Sequence, residues 1–436
     1  MSGERGLIGR ADDMLRQWLR PASAGRPRGA QPAAPMRVRL EPTLLPPGEA
    51  FTPTQPKPGR RQITGRQAEL DRILQALREE HAHVVLYTER GRGKTSLSNL
   101  VIETLRQGGV IVARYTCEAG SSFDSVIRGL LRDLPRSLLA IAANDPGEIG
   151  CEAALPPGEL RPRDVAAAMS RLTCRNLVCV IDEFDRIEDA GTRTRLADTI
   201  KQLSDQGVPL LFMIVGVSEN LEQILGQHPS IQRNLVALHL PLLTDEEIAS
   251  MIGKGAREAG FSLFPGAVEW ITALARGAPH MAQLFGLRLI QAASRRGDAQ
   301  VLEIDFEAAL AQLLAEAPPS ALALYASLLP GESGLKMVRA LRALAGAAQD
   351  PWGRIAVLPS FRDGMAVGES YMRAEEWRRI LDAGVLRPAV GAYGMYVFAD
   401  RGFMQLVLLI DAQVSAPEAA PQDRVGASLH RLASDH

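Results

Sequence analysis

Two short segments of this chain carry side chains of the types and spacing that phosphate chemistry requires. The first is Thr88-Glu89-Arg90-Gly91-Arg92-Gly93-Lys94-Thr95, followed by Ser96. It meets the pattern GxxxxGK[ST] at every fixed position but the first, where Thr88 stands for glycine. Gly91 and Gly93 allow a backbone to approach an anion closely. The amides of a tight loop and of a following helix N-terminus converge on the same anion, so Glu89, Arg90, Gly91, Arg92, Gly93, Lys94, Thr95 and Ser96 form the candidate nucleotide cradle. Lys94 would reach the β- and γ-phosphates, and Thr95 would offer its hydroxyl to Mg²⁺. The second segment is Val178-Cys179-Val180-Ile181-Asp182-Glu183. An apolar run there ends in two carboxylates. Asp182 would hold the Mg²⁺ water shell and Glu183 would orient or deprotonate an attacking water. Asp185 is given no chemistry, and His81 and His83, without an acid or cysteine partner in sequence, read as strand-flank residues rather than metal ligands.

These segments need elements to hold them, and the patterning supplies them. Residues 82–88 form a short apolar, β-branched run that leads straight into the glycine-rich loop, and 96–107 read as the helix that follows. Further strands are expected at 110–116, 177–181, 208–216 and 236–240, with helices at 67–77, 123–134, 164–172 and 192–206 between them. Strands that alternate with helices and are apolar throughout imply a parallel sheet covered on both faces, and such sheets place ligands at the carboxyl ends of their strands. After Leu243 the strands stop. Residues 245–259, 265–275, 279–295 and 304–314 read as helices and suggest an all-helical lid. A block from about 320 to 410 has helices, then 372–383, then two short apolar strands around Gly391 and Gly394, the order of a winged helix-turn-helix.

The composition sets outer bounds. Of 436 residues, 46% are hydrophobic and 23% charged, which excludes wholesale disorder or a collagen-like repeat. Lys and Arg total 49 against 50 Asp and Glu, so the chain is not a strongly basic chromatin-type protein. The most apolar tract, 403–410, is too short for a bilayer, which takes about 20 apolar residues, and no signal peptide is read at the N-terminus. Cys117, Cys151, Cys174 and Cys179 form no CxxC pair, which suits a reducing cytoplasm and argues against a zinc site.

With those residues in place the segment from about Gln62 to Arg295 resembles the AAA+ P-loop ATPases, and within them the initiator and STAND-like clade of origin-recognition type. Thr64-Gly65-Arg66-Gln67-Ala68-Glu69-Leu70 is similar to the element that precedes the core in that clade and packs near the adenine, which implies that Ile63 and Gly65 line the base pocket. Gly216-Val217-Ser218 looks like sensor 1, with Ser218 facing the γ-phosphate and water, although many relatives carry Asn or Thr there. His228-Pro229-Ser230-Ile231-Gln232-Arg233-Asn234 occupies the place where the family often sets an arginine that reaches a neighbouring subunit's nucleotide, so Arg233 is the candidate finger, a role its planar, always-charged fork suits. Gly277-Ala278-Pro279-His280 looks like the GxP element by which STAND-like proteins sense nucleotide, with His280 where initiators often have arginine.

The resemblance implies an α/β P-loop NTPase core with a parallel sheet, followed by an all-helical lid and a winged-helix-like domain. The expected boundaries are a basic Pro/Arg-rich arm and linker at 1–60, the core at 61–243, the lid at 244–317, the winged-helix-like part at 318–412 and a disordered tail at 413–436. The expected ligands are ATP and Mg²⁺. The expected activity is slow ATP hydrolysis used as a conformational switch for assembly as a homo-oligomer or for signalling to a partner protein. The alternative is a DNA-acting ATPase that binds duplex DNA through the winged helix and the N-terminal arm. Arg387 is the only cation of the wing at 386–398 and charge signs are mixed at 372–381, which weakens that alternative, because DNA affinity rests largely on Lys and Arg at phosphates. A scaffold that binds nucleotide without turnover is disfavoured by the complete set Lys94, Thr95, Asp182 and Glu183.

Overall fold

The computed structural model describes residues 44–53, 65–89, 91–139, 150–174, 177–218, 233, 235–329, 334–360 and 364–415. Most of the N-terminal arm, the tail after 415, Ile63, Arg90 and most of 219–234 lie outside the described residues.

Five strands form one parallel sheet: β1 (His83–Thr88), β2 (Ile111–Thr116), β3 (Leu177–Asp182), β4 (Leu210–Val217) and β5 (Leu235–His239), in the order β2-β3-β4-β1-β5. Residues on alternate sides of each strand enter two separate cores. On one side Val84, Leu86, Val178, Val180, Met213 and Val215 pack with α2 (Gln67–Arg78) and α3 (Lys94–Gln107). On the other, Val85, Ala113, Cys179, Ile181, Phe212 and Ile214 pack with α4 (Phe123–Arg132), α5 (Pro162–Met169) and α6 (Ala190–Asp205). Each fully buried aliphatic side chain contributes about 1.5–3 kcal/mol, so the sandwich is a rigid base for the loops at its carboxyl edge. The strand order matters for those loops. Because β4 lies between β3 and β1, the residue after β4 rises between the loop after β1 and the acids after β3.

Three helices follow: α7 (Asp245–Glu258), α8 (Ala267–Ala275) and α9 (Pro279–Arg296), mutually packed. Thr244 and Glu247 form a reciprocal cap at the start of α7, and Pro279 takes the first position of α9, where a missing N–H costs nothing. Residues 44–53, which the sequence assigns to an extended linker, are an ordered part of this layer. They include α1 (Pro47–Ala50), Phe51 is buried against Gly255 and Gly286, the Leu45 amide donates to the Glu258 carbonyl at 2.8 Å and the Thr52 amide donates to Gln283 Oε1 at 2.9 Å. An anchoring aromatic flanked by prolines carries no periodicity, so the pattern alone does not reveal it.

The chain divides into two compact units. One comprises residues 20–301 together with Asp350–Gly353; the other contains Leu302–Gln349 and the residues from Arg354 onward. Helix α10 (Glu303–Ala315), which the sequence places with the lid, therefore belongs to the second unit, where it packs on α14 (Arg401–Ser415). Between them come α11 (Pro319–Leu328), α12 (Gly334–Gly346) and α13 (Ala374–Asp382), with two three-stranded antiparallel sheets. One is made by β6 (Ile355–Ala356), β10 (Leu386–Pro388) and β11 (Met395–Phe398). The other, β7 (Leu358–Ser360), β8 (Gly364–Val367) and β9 (Ser370–Arg373), is a meander the sequence reading does not contain. It takes Met372 and Arg373 out of the helix expected over 372–383. The strands of the meander are only three or four residues long, too short for alternation to register. In the β10–β11 hairpin Phe398 is buried and Tyr396 packs edge-on to Trp377 at 4.9 Å between ring centres. Among the described residues no helix is long and apolar enough to cross a membrane.

Candidate functional site

The loop after β1 turns on two glycines in the left-handed region, Gly91 at φ 81° and Gly93 at φ 88°. A side chain would strain either position. Gly93 is also the N-cap of α3, and no side chain caps that helix. The first-turn amides of α3 are thus left for an anion, in the field of the helix dipole. Lys94 Nζ donates to the carbonyls of Thr88 and Glu89, both at 3.0 Å, which holds the ammonium over the loop.

Thr88, the departure from the glycine pattern, is fully buried, and its hydroxyl donates to the Leu240 carbonyl at 3.0 Å. The threonine therefore ties the root of the loop to the end of β5. Its own carbonyl accepts from the Ser218 amide at 3.3 Å, so Ser218, itself buried, stands beside the loop as the strand order requires. Asp185 supports this position from below: its Oδ1 accepts from the Val217 amide at 2.7 Å, which fastens the turn after β3 to the end of β4.

The Arg92 side chain has a place that the pattern does not assign. Its side chain is 1% exposed, the largest fully buried side chain among the described residues. It pairs with Glu89 and donates to the carbonyls of Leu240 at 3.3 Å, Pro351 at 3.4 Å and Trp352 at 2.6 Å. Arg92 thus contributes its main chain to the loop, while its guanidinium is an internal strut. The same holds for Glu89, whose carboxylate is spent on Arg92. The tetrapeptide Asp350–Gly353 belongs to the same unit as this strut, and the Leu242 amide donates to the Pro351 carbonyl at 2.7 Å. Trp352 continues a row of rings, 4.5 Å from His239, which lies 4.9 Å from Tyr87.

Arg66 is a second internal strut. It donates to the carbonyls of Pro241 at 2.7 Å and Arg92 at 3.3 Å and to Glu69 at 2.9 Å; burial holds its pKa below the usual arginine value, opposed by Glu69. The neighbouring Gly65, at φ 80°, packs so closely on α7 that an added Cβ would lie 2.8 Å from Glu247 Cβ. Gly65 thus touches the lid.

At the end of β3, Asp182 is buried and both its oxygens are engaged: Oδ1 accepts from the Glu183 amide at 2.9 Å and Oδ2 from Arg114 at 2.5 Å. Glu183 has a left-handed backbone, φ 53°, rare for a non-glycine residue, and its side chain turns outward to Arg186 at 2.6 Å. A strained backbone next to a candidate base is the kind of feature that active sites retain. The Cys117 thiol nearby is pushed up to about 12 by burial first, then by Asp182, Asp185 and Glu183, so it is no nucleophile.

Pro279 reaches the loop from the lid: a Cβ placed on Gly93 would stand 3.7 Å from Pro279 Cγ. His280 is turned elsewhere, its Nδ1 2.9 Å from the Pro53 carbonyl, and holds the 44–53 segment. Arg233 is exposed, with no hydrogen bond or ion pair among the described residues. Ile63 and Arg90 lie outside the described residues. The structure therefore brings together the loop, Lys94, Ser218 and Pro279 and sets Asp182 and Glu183 at the adjoining strand end; among the described residues Arg233 and His280 make no hydrogen bond to the loop. The residues that sequence reasoning missed are Arg66, Asn99, Arg114, Asp185 and Trp352. Arg114 did leave a signal, as the one cation in the apolar strand Ile111-Val112-Ala113-Arg114; Trp352, remote in sequence, left none.

The donor set fits a divalent cation held jointly with a nucleotide. Thr95 Oγ1 and Asp182 are one hydroxyl and one carboxylate, and Mg²⁺ takes few protein ligands and completes its octahedron with phosphate and water. Among the described residues there is no group of three or more His, Cys, Asp or Glu that could hold a metal ion.

A loop of this geometry on a parallel sheet defines a P-loop nucleotide-binding core. Residues 62–214 match the AAA ATPase domain family, and this segment is an AAA ATPase domain. No curated protein matches the chain. Among solved structures the chain is similar to the ORC2 protein of Aeropyrum pernix at 14% identity and a TM-score of 0.45, covering 85% of this chain and 98% of that one. It is also similar to Cdc6p of Pyrobaculum aerophilum at 15% and 0.44, covering 84% and 97%, and to the RuvB Holliday junction branch migration motor of Thermotoga maritima at 16% and 0.41, covering 80% and 94%. Scores below 0.5 at such identities define no shared function.

Proposed function

We propose that this chain binds MgATP at the loop 88–95, hydrolyses it slowly, and uses the bound state to set the position of its helical lid, as a switch for assembly or for a partner protein. The observation that carries this reading is the contact of Pro279 with Gly93. The residue that begins a lid helix stands one side-chain atom's reach from the glycine whose amide neighbourhood would receive phosphate, which couples a change in the loop to the lid. Gly65 against Glu247 is a second such contact.

In this reading Lys94 leaves the carbonyls of Thr88 and Glu89 and places its charge on the β- and γ-phosphates, and the first-turn amides of α3 take the remaining oxygens. Thr95 and Asp182 hold Mg²⁺, which neutralises charge on the phosphates when bound. Glu183 turns inward from Arg186 and accepts a proton from the attacking water, while Ser218 orients that water. Arg233, exposed and without a partner among the described residues, acts from a neighbouring copy on the transition-state charge, so an isolated chain turns over slowly. His280 acts on the lid through the 44–53 segment rather than on phosphate.

The test is nucleotide binding and steady-state ATP turnover of the full chain, with and without duplex DNA. Lys94→Ala should weaken ATP binding by about 100-fold or more, since it removes the point charge on two phosphates. Glu183→Gln should bind ATP and lose turnover by at least about 100-fold, the usual worth of a general base. Wild-type turnover should rise with protein concentration and be indifferent to DNA. Strong stimulation by duplex DNA would replace the switch with a DNA-acting ATPase, and no binding of ATP by the wild type would overturn both.

A further inference from the structure

The group least accounted for at this site is Arg114. It stands on β2, an edge strand, at the register position of Val180, two residues short of Asp182 on the same side of the sheet. Its two terminal nitrogens divide between two elements. Nη1 donates to Asn99 Oδ1 at 2.8 Å and Nη2 donates to Asp182 Oδ2 at 2.5 Å. Asn99 lies one helical turn after Thr95 on α3, so Arg114 links the helix that carries Thr95 to Asp182. Arg114 Nε has no hydrogen-bond partner among the described residues.

We propose that Arg114 is a resident counter-cation that competes with Mg²⁺ for Asp182, so that this chain couples metal entry to displacement of an arginine. This inference rests on the reading of Asp182 as a metal-site carboxylate. Its argument is one of valence. Asp182 is only 4% exposed, and a buried carboxylate without a partner is strongly destabilising. Its pairing with Arg114 removes that penalty. Oδ1 of Asp182 accepts from the Glu183 amide and Oδ2 from Arg114, so a cation or its water shell that approaches Oδ2 meets the guanidinium already seated there. Arginine cannot vacate by losing a proton, because its guanidinium stays charged throughout the working pH range. It must move. Its side chain is 33% exposed and retains Asn99 as a second anchor, so movement is open to it. The metal therefore binds against a competitor that is always present.

The experiment is a Mg²⁺ titration of the full chain at constant ionic strength. It reads the binding of a fluorescent, non-hydrolysable ATP analogue and, in parallel, the thermal midpoint. Arg114→Met should lower the half-saturating Mg²⁺ by about 10-fold, the lower end of what a charge-assisted hydrogen bond is worth. Arg114→Lys keeps the charge but not the fork and should fall between Met and wild type. Asn99→Ala leaves both charged partners intact, loosens only the anchor, and should lower the value by about two- to threefold. Arg72→Met, which removes a cation from an exposed pair with Glu80, should leave it unchanged. If Arg114→Met fails to fold, Arg114→Lys and Asn99→Ala carry the same test. A half-saturating Mg²⁺ within twofold of wild type in these variants, with the analogue still bound, would overturn the competition and leave the nucleotide site standing. Failure of the wild type to bind the analogue at any Mg²⁺ would instead overturn the site itself.

Discussion

The two ends of the parallel sheet each bury polar side chains, and they solve the problem differently. At the amino end, His83 is buried at the start of β1 with both ring nitrogens used: Nδ1 accepts from the Phe212 amide at 2.9 Å, and Nε2 therefore carries the proton and meets Ser204 Oγ at 2.9 Å. All the groups are neutral and the network is closed. At the carboxyl end neutral Thr88 and Ser218 are buried beside charged groups, Arg66, Arg92 and Asp182, and each charge is matched by an opposite charge or by carbonyls of a chain turn. Neutral satisfied networks hold a strand in place. Charged ones hold a loop in place while leaving it able to exchange one partner for another, since an incoming ion can substitute for a resident one. The same apolar strands serve both ends, so the difference lies wholly in which residues terminate them.

The sharpest way to break this contrast is Arg92→Ala. The substitution leaves Glu89 without its partner and removes a donor from three carbonyls in a site that is 1% exposed. Breaking one side of a buried pair costs about 3–5 kcal/mol, and chemical denaturation should show a loss of that size. Arg92→Lys should recover little of it, because an ammonium cannot reach Leu240, Pro351 and Trp352 with one rigid fork. A loss under about 1 kcal/mol would mean that the strut is decorative and the carboxyl end no different from the amino end.

Much of this architecture was legible in the sequence because it rests on local rules. Glycine spacing marks the loop, an apolar run ending in Asp182-Glu183 marks the third strand, and alternation of strands with helices marks the parallel sheet. His83 was legible as a strand-flank residue because it stands at the start of the first apolar run. What escaped depends on partners far apart in the chain. Arg92 sits inside a phosphate-binding pattern that assigns its main chain and says nothing of its side chain; its carbonyl partners at 351 and 352 are some 260 residues away, and no periodicity encodes them. Arg114 stands out only as the cation of its strand and Asn99 not at all, and the register of β2 on β3 is what brings Arg114 to Asp182. The meander at 358–373 and the helix α10 escaped for a different reason. Strand length and the division of helices between units are set by packing, not by the pattern of any one segment.

The amino end supplies a pH test. Burial lowers the His83 pKa from 6.5 to about 4. The unfolded chain binds the proton near 6.5, so between pH 6.5 and about 4 the unfolded state holds more protons than the folded one. The stability that neutral His83 contributes is complete above pH 6.5 and falls with acidification through that window, by at most about 1.4 kcal/mol per pH unit. Protonation also turns Nδ1 from acceptor to donor and opposes the Phe212 amide. Denaturation midpoints measured from pH 7 down to 5 should drop for the wild type, and the drop should be shallower in His83→Gln. An equal slope in both would show that His83 is not the group that titrates.

The smallest effect sharpens the comparison at the carboxyl end. Thr88→Val keeps the shape of a buried side chain and deletes its hydroxyl, which donates to Leu240 at 3.0 Å. The Leu240 carbonyl still accepts from Arg92 at 3.3 Å, so it is not orphaned, and the cost should stay near about 1 kcal/mol, the ordinary worth of one neutral hydrogen bond. The two substitutions meet at one oxygen. In the double variant Arg92→Ala/Thr88→Val that carbonyl loses both donors, so the combined loss should exceed the sum of the single losses by at least about 0.5 kcal/mol. Strict additivity would mean that the loop and the end of β5 are held independently. Excess loss would make Leu240 the shared point at which the threonine of this loop substitutes structurally for the glycine its pattern lacks.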